Sequence, residues 1–347
     1  MAGYSLTRDR LQQGGFFDTG LARRLAADPV GLVDVGARWG ISPEFAAAAP
    51  LFSALAFEPD PEEARRVLDK GRGQGWAGFA VEAKALGRDE RPLALNLYSR
   101  ANNSSIHPVS PRAKVRYALG GFELERVLSV PARSLDAIVF GDAPARAGEV
   151  VKLDTQGAEL DILAGAERTL HERTVCIITE AHFFRLYDGA PFFAEIDPHL
   201  RGLGFTFIGF SDFQNRSSKR LDKRTHWGRE RVFQADAIYF RDPLDAKETA
   251  TPRVVDVAVL MAVLLGYFDL ALEWAAFGEE IGLAATDLGA AIDRIASVDP
   301  AEPPNEIAAL LAAIERDPRH GHVLVGKLVD RYRDLTTFHD IPIEPTG

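Results

Sequence analysis

The sequence predicts an α/β protein with a doubly wound parallel sheet, an antiparallel hairpin at one sheet edge and a helical C-terminal region. A short, mostly apolar stretch at 32–35 runs into a turn with two glycines, as the first strand of a parallel sheet does. Strand-like and helix-like segments alternate up to about residue 243. The last two predicted strands have no helix between them, which favours a hairpin.

The remaining elements follow from apolar periodicity and from turn residues. The predicted strands are 32–35, 54–58, 79–86, 93–98, 150–153, 175–179, 205–210 and 235–240. The predicted helices are one or two within 5–27, one starting at 43–49, and those at 62–70, 158–170 and 193–203. The polar stretch 99–111 is predicted to be a loop.

Composition divides the chain into three predicted parts, with boundaries set where the pattern changes. These are an N-terminal helical lead-in (1–29), an α/β domain (30–243) and a helical C-terminal domain (251–347), where Ala and Leu dominate and four helices are expected. The longest uncharged apolar run, 257–268, is too short to span a bilayer and is expected to be a buried helix.

Cysteine content and charge exclude several classes of protein. Cys176 is the only cysteine, which excludes a disulfide framework and a cysteine-built zinc site. With no apolar signal core at the N-terminus, a reducing, cytoplasmic location is expected. The net charge is −10, and residues from 244 onward carry all of it, with 8 Lys and Arg against 18 Asp and Glu. No broad basic face is present, so nucleic acid is not an expected partner.

Acidic residues stand at the ends of predicted sheet strands: Asp34, Glu58, Asp154 and Glu180. Ligands of open α/β sheets lie across these carboxyl ends. The turn after 32–35 retains only Gly36 and Gly40, whereas a dinucleotide fingerprint has three glycines that seat a pyrophosphate. An acid before two glycines suits a cationic ligand without phosphates, such as S-adenosylmethionine (SAM). Each acid taken alone is also explained as a helix cap.

The segment 151–166, VKLDTQGAELDILAGA, closely resembles the signature of the FkbM-type family of SAM-dependent methyltransferases. The resemblance extends from about 30 to 241. The further segments that carry it are 33–37 with Gly40, 57–59, 85–87, 134–136, 180–182, and 204–205 with 236–237.

The resemblance implies a class I, Rossmann-like methyltransferase fold and methyl transfer from SAM, which leaves S-adenosylhomocysteine. The expected acceptor is a hydroxyl oxygen of a sugar, a polyketide or a related metabolite. The implied SAM-binding residues are Asp34, Gly36 and Gly40 for the methionine part, Glu58 for the ribose, and Ala85 and Leu86 near the adenine. Asp154 would stand at the reaction centre. Arg38 and Trp39 replace the small or polar residues common in that turn.

The chemistry requires an in-line acceptor oxygen that loses its proton. The candidate catalytic bases are Asp154 and His182. A divalent metal held by Asp154, Glu180 and a third carboxylate is an alternative that is not favoured. A nicotinamide dehydrogenase is disfavoured because the third glycine is missing. A second hypothesis is a SAM- or nucleoside-binding module that has lost catalysis and acts through its helical tail.

The segment 216–231 is rich in cations, and its role stays open. Its charged residues are Arg216, Lys219, Arg220, Asp222, Lys223, Arg224, Arg229, Glu230 and Arg231. It is a solvated loop, a clamp for an anionic acceptor, or a surface that docks on the acidic tail. The tail helices are expected to form an interface or a cap, which makes a homo-oligomer possible.

Overall fold

The computed structural model describes residues 6–141, 143, 145–218, 220, 230–245, 247, 250–283, 287–297 and 302–332. The strands are β1 (Val30–Val35), β2 (Phe52–Phe57), β3 (Gly78–Glu82), β4 (Ala85–Leu86), β5 (Leu93–Tyr98), β6 (Leu124–Val130), β7 (Ala132–Arg133), β8 (Ala147–Leu153), β9 (Cys176–His182), β10 (Thr206–Arg216) and β11 (Arg231–Phe240). The helices up to β11 are α1 (Arg8–Gln13), α2 (Gly20–Ala27), α3 (Pro43–Ala47), α4 (Pro61–Gly71), α5 (Pro111–Arg116), α6 (Leu135–Val139), α7 (Glu159–Ala164), α8 (Glu167–Glu172) and α9 (Phe193–Gly202). The helices after β11 are α10 (Pro252–Leu264), α11 (Phe268–Glu280), α12 (Leu288–Ala296), α13 (Glu302–Arg316) and α14 (Gly321–Tyr332).

Seven strands form the central sheet, in the order β10-β11-β9-β8-β1-β2-β3. Strands β3, β2, β1, β8 and β9 are parallel, and the hairpin of β10 and β11 adds antiparallel strands at the β9 edge. The predicted doubly wound sheet with an antiparallel edge hairpin is confirmed. From β1 the chain continues to its neighbour β2, and from β8 it continues to β9, so the two connections run in opposite directions along the sheet. A crevice for a ligand therefore opens between the carboxyl ends of β1 and β8.

The segment predicted as one strand at 79–86 is two strands in different sheets, and that expectation is wrong. β3 is the half-exposed edge strand of the central sheet. The chain leaves the sheet after Glu82, and β4 pairs with β7 in a small parallel sheet. An edge strand has no neighbour on its outer side to hold the chain in the sheet. β5 has its predicted bounds and pairs with β6 in a second small sheet.

Two further expectations differ in detail from the structure. The predicted helix at 158–170 is interrupted at Gly165, where a Cβ would lie 2.2 Å from the carbonyl oxygen of Gly87. Gly165 is the C-cap residue of α7, and its lack of a side chain allows the close approach to Gly87. Within the described residues beyond 251, the structure has α10 to α14 in place of the four helices expected.

The helices cover both faces of the sheet. On one face, the N-terminal helices and α10 to α12 share an apolar cluster with β1, β2, β8 and β9. Helix α10 is buried throughout 255–264, because it lies between the sheet and other helices. Arg253 on α10 binds Glu149 of β8 at 2.6 Å, which ties the helix to the sheet. In the described part of the chain, no helix is both long and apolar enough to cross a bilayer.

Candidate functional site

A cavity of about 610 Å³ opens at the carboxyl ends of the parallel strands. Five residues predicted for the site from the sequence line it: Gly36, Glu58, Ala85, Leu86 and Asp154. Gly36 follows β1 and Asp154 follows β8, so the cavity lies at the crevice that this strand order creates. Asp34, Gly40 and His182 are not among the lining residues.

The turn after β1 passes close to the end of β8. Gly36 has a φ of +86°, and a Cβ there would lie 2.0 Å from the carbonyl oxygen of Asp154. The Gly36 N–H donates to the Phe57 carbonyl at 3.0 Å, and the Asp154 N–H donates to the Val35 carbonyl at 3.0 Å. Only glycine fits this position, so the backbone itself is exposed to a ligand. Gly40 lies farther along the turn, against the Lys70 side chain.

Glu58 is held at the end of β2 with one oxygen occupied. Its Oε1 accepts the Asp60 N–H at 2.9 Å and lies 3.9 Å from the Arg38 guanidinium. Burial raises the pKa of Glu58 to about 7, although the Asp60 N–H and Arg38 oppose this rise. Within the described residues, Oε2 accepts no bond and remains available to a ligand in the cavity. Arg38, which also approaches Asp60 at 3.6 Å, was not predicted as a site residue.

Glu159 fixes the loop between β8 and α7. It is completely buried, and its Oε1 accepts the Thr155 N–H at 2.9 Å, the Thr155 hydroxyl at 2.8 Å and the Gly157 N–H at 3.2 Å. Between these residues, Gln156 has a φ of +58°, which non-glycine residues rarely adopt. The Ser105 hydroxyl donates to the Gln156 carbonyl at 2.7 Å and braces the same loop.

The Gln156 side chain links two of the carboxyl groups that line the cavity, those of Asp154 and Glu180. Its Nε2 donates to Asp154 Oδ1 at 3.0 Å and to Glu180 Oε1 at 2.9 Å. Gln234 on β11 donates a second bond to the same Glu180 oxygen at 2.5 Å. Two amides therefore fix Glu180, and neither amide was predicted from the sequence.

Glu180 has one oxygen that is not used by the protein. Its Oε2 is buried without a hydrogen-bond partner among the described residues, and it lies 3.5 Å from His182 Nε2, which also has none. Burial raises the pKa of Glu180 well above its ordinary value and lowers the pKa of His182. Both shifts favour the uncharged pair. Glu180 lines the cavity, and His182 lies behind it at the end of β9.

A buried cationic centre lies beneath the site. Lys152 on β8 is 7% exposed, and its Nζ lies 3.7 Å from Asp154 Oδ2. Burial lowers the pKa of Lys152, but the carboxyl groups of Asp154, Asp34 and Asp236 outweigh burial and raise it. Burial raises the pKa of Asp34 to about 6, with Lys152 opposing the rise. Asp34 is thus one of the carboxyl groups that act on Lys152, and it does not line the cavity.

The alternative of a metal site finds no ligand set in the described part of the chain. No three Asp, Glu, His or Cys side chains there form a group that could hold a metal ion. Gln156 donates to both Asp154 and Glu180, the two named carboxyl groups of that alternative.

The other half of the cavity is formed by the loop at 100–106, by residues 117–122 and by the β10–β11 hairpin. The polar loop predicted at 99–111 thus contributes to the site. Within the cation-rich segment 216–231, Arg216, Arg220, Glu230 and Arg231 belong to the described residues. Lys219, Asp222, Lys223, Arg224 and Arg229 lie outside them.

Comparison with known proteins gives one family and several distant structures. A family model described as the methyltransferase FkbM domain matches residues 34–207. The chain is similar to the FkbM methyltransferase of Methylobacillus flagellatus KT, with 16% identity over 61% of this chain and 44% of that chain and a TM-score of 0.35. It thus spans less than half the length of that protein.

Two other structures are similar at lower scores. The magnesium protoporphyrin IX methyltransferase (ChlM) of Synechocystis PCC 6803, solved with bound SAM, has 13% identity over 66% of this chain and 79% of that chain, with a TM-score of 0.29. EvdMO1 has 11% identity over 67% of this chain and 41% of that chain, with a TM-score of 0.27. No curated protein matches the sequence significantly.

The family match covers half of the chain. It includes the glycine turn, the loop after β8 and most of the strands that carry the cavity. The chain therefore belongs to the FkbM methyltransferase family.

Proposed function

We propose that the protein transfers a methyl group from SAM to a hydroxyl oxygen of a small-molecule or glycan acceptor. The observation that carries this proposal is that Glu58, Asp154 and Glu180 line one cavity. Glu58 follows β2, while Gln156 links Asp154 and Glu180. The first suits a ribose, and the other two suit a hydroxyl group that must lose its proton.

The chain's residues fit SAM in the following way. The backbone at Gly36 approaches the methionine part, and the free Oε2 of Glu58 accepts bonds from the ribose hydroxyls. Ala85 and Leu86 form an apolar wall for the adenine. Asp34 and Gly40 act indirectly, by supporting and shaping the turn. Bound SAM supplies the methyl group, whose bond to sulfur breaks as the bond to the acceptor oxygen forms.

The hydroxyl proton moves to a carboxyl group that lines the cavity. Asp154 has 43% of its side chain exposed, so it meets the acceptor directly. Glu180 Oε2 is buried 3.5 Å from His182 Nε2, and burial favours the uncharged form of this pair, so Asp154 accepts the proton while Glu180 and His182 support it. His182 is thus a positioning residue in this proposal, and Gln156 holds the two carboxyl groups at a fixed separation.

The substitution Asp154→Asn tests the proposal. Label transfer from methyl-labelled SAM is measured over a panel of sugars, glycosides and other hydroxyl compounds. General base catalysis contributes about 10²- to 10⁴-fold, so transfer should fall by at least about 100-fold while SAM affinity stays within about twofold. Asp161→Asn is the matched control, because Asp161 is an exposed acid in the same signature that pairs with Arg88.

Full activity in Asp154→Asn would show that no charge is needed at this position. SAM binding without transfer to any acceptor would instead favour the second hypothesis, a binding module that has lost catalysis.

A further inference from the structure

Two arginine side chains face each other across the outer end of the β10–β11 hairpin. Arg216 and Arg231 are directly opposed in the antiparallel register. Like charges in this arrangement repel, and they destabilise a sheet unless something compensates them. Among the described residues, neither guanidinium forms an ion pair with a carboxylate. The pair therefore costs stability in the absence of a ligand.

Aromatic rings hold both guanidinium groups in place. Arg231 lies over the Phe184 ring at 4.5 Å, and Arg216 lies over the Phe233 ring at 5.9 Å. The two rings stack on each other, with centroids 5.2 Å apart, and Tyr117 packs edge-on against both.

Arg216 donates to the Asn215 carbonyl at 3.1 Å and to Gln214 Oε1 at 3.4 Å. Arg231 donates to the Tyr117 hydroxyl at 3.5 Å. A guanidinium on a ring face directs its remaining N–H groups outwards at its edge, where they can bind an oxyanion.

The arginine pair adjoins the same cavity through Arg216, while Arg231 is not one of the residues that line the cavity. Arg216 and Phe233 line it, and so does Arg100, an exposed cation that forms no ion pair with the described residues. One acid, Glu230, lines the cavity beside the hairpin as well, so cations remain in excess there. The carboxyl groups of Asp154 and Glu180 line the same cavity. The cavity thus combines the cations Arg100 and Arg216 with the carboxyl groups of the site.

We propose that the acceptor carries a phosphate or carboxylate group, which Arg216 and Arg231 bind at the end of the hairpin with help from Arg100. This inference rests on the proposed function and specifies its substrate class. The cations orient such a molecule, because they hold its anionic group beside the hairpin. Its hydroxyl group then points towards Asp154 and Glu180.

The test uses the double substitution Arg216→Gln/Arg231→Gln in the full-length protein. Inorganic phosphate, and separately acetate, is titrated at constant ionic strength into protein saturated with S-adenosylhomocysteine. The wild-type protein should bind one of these anions, and the double variant should bind it at least about tenfold more weakly. Arg126→Gln is the matched control, since Arg126 is exposed on β6 and does not line the cavity.

Thermal unfolding separates binding from a structural role. Without an anion, the double variant should unfold at the same temperature as the wild type or higher, because the repulsion is gone. The anion should raise the unfolding temperature of the wild type only. Once an acceptor is known, the double variant should show a raised KM and an unchanged SAM affinity.

Three results would overturn the inference: no anion binding by the wild type, equal binding by the double variant, or a lower unfolding temperature of the anion-free variant. SAM affinity is measured on the same samples. If SAM fails to bind, the proposed function fails; if SAM binds and the anion results are negative, only the inference on substrate class fails.

Discussion

Replacement of Gly36 by alanine tests the position of the turn on which the site is built. The new Cβ would lie 2.0 Å from the Asp154 carbonyl oxygen and 2.9 Å from its carbon, both in backbone that cannot move independently. A left-handed φ costs alanine about 1–2 kcal/mol. Forced overpacking adds about 1–3 kcal/mol. We therefore expect Gly36→Ala to lower the free energy of unfolding by roughly 2–5 kcal/mol.

Two other glycines provide a graded comparison. Gly40 also has a positive φ, of +102°, but its Cβ would meet only the mobile end of Lys70, so Gly40→Ala should cost about 1–2 kcal/mol. At Gly73 a Cβ would meet nothing within 4 Å, so Gly73→Ala should change stability by about 0.5 kcal/mol or less. Urea denaturation of the three variants gives the order. Equal stability of Gly36→Ala and Gly73→Ala would refute the placement of the turn against Asp154.

Two further predictions concern stability. Glu159→Ala leaves the Thr155 and Gly157 N–H groups unpaired and should lower the free energy of unfolding, measured in urea, by roughly 2–5 kcal/mol. Glu159→Gln keeps an acceptor oxygen and should lower it less. Equal losses in the two variants would contradict the role of this side chain. Burial raises the pKa of Asp34 to about 6 in the folded state, whereas its ordinary pKa of 3.8 applies in the unfolded state. The folded protein therefore binds the proton more tightly, and the contribution of Asp34 to stability falls as the pH rises from about 4 to 6. Asp34→Asn should therefore gain up to about 3 kcal/mol relative to the wild type over this range, and a constant difference between the two proteins would contradict the raised pKa.

The sequence predicted best those strands that are buried on both faces. β8 and β9 are buried along their whole length, and the apolar residues at 150–151 and 175–178 indicated where they lie. Strand β6 was missed because it is exposed along most of its length and carries charged residues, which resemble a loop. Helix α5 begins at Pro111 and has only 6 residues, which is too short to show a helical periodicity of apolar residues.

The candidate site was predictable where a residue type and its place in a strand define the role. Gly36, Glu58 and Asp154 follow strand ends, and all three line the cavity. The roles of Gln156 and Gln234 depend on a partner, Glu180, that lies 24 and 54 residues away, and no local pattern indicates such a contact. The alternation of side chains along a strand places Asp34 on the side opposite to Val35, which lines the cavity.

Calorimetric titration of SAM into the wild-type protein and into Glu58→Ala tests the central claim most directly. The wild type should bind SAM with micromolar affinity and should not bind NAD. Glu58→Ala should weaken SAM binding about tenfold, since it removes the proposed acceptor of the ribose hydroxyls. Glu62 is an exposed acid on α4, so Glu62→Ala should leave the SAM affinity within about twofold of the wild type. Absence of SAM binding by the wild type, or an unchanged affinity in Glu58→Ala, would contradict the account.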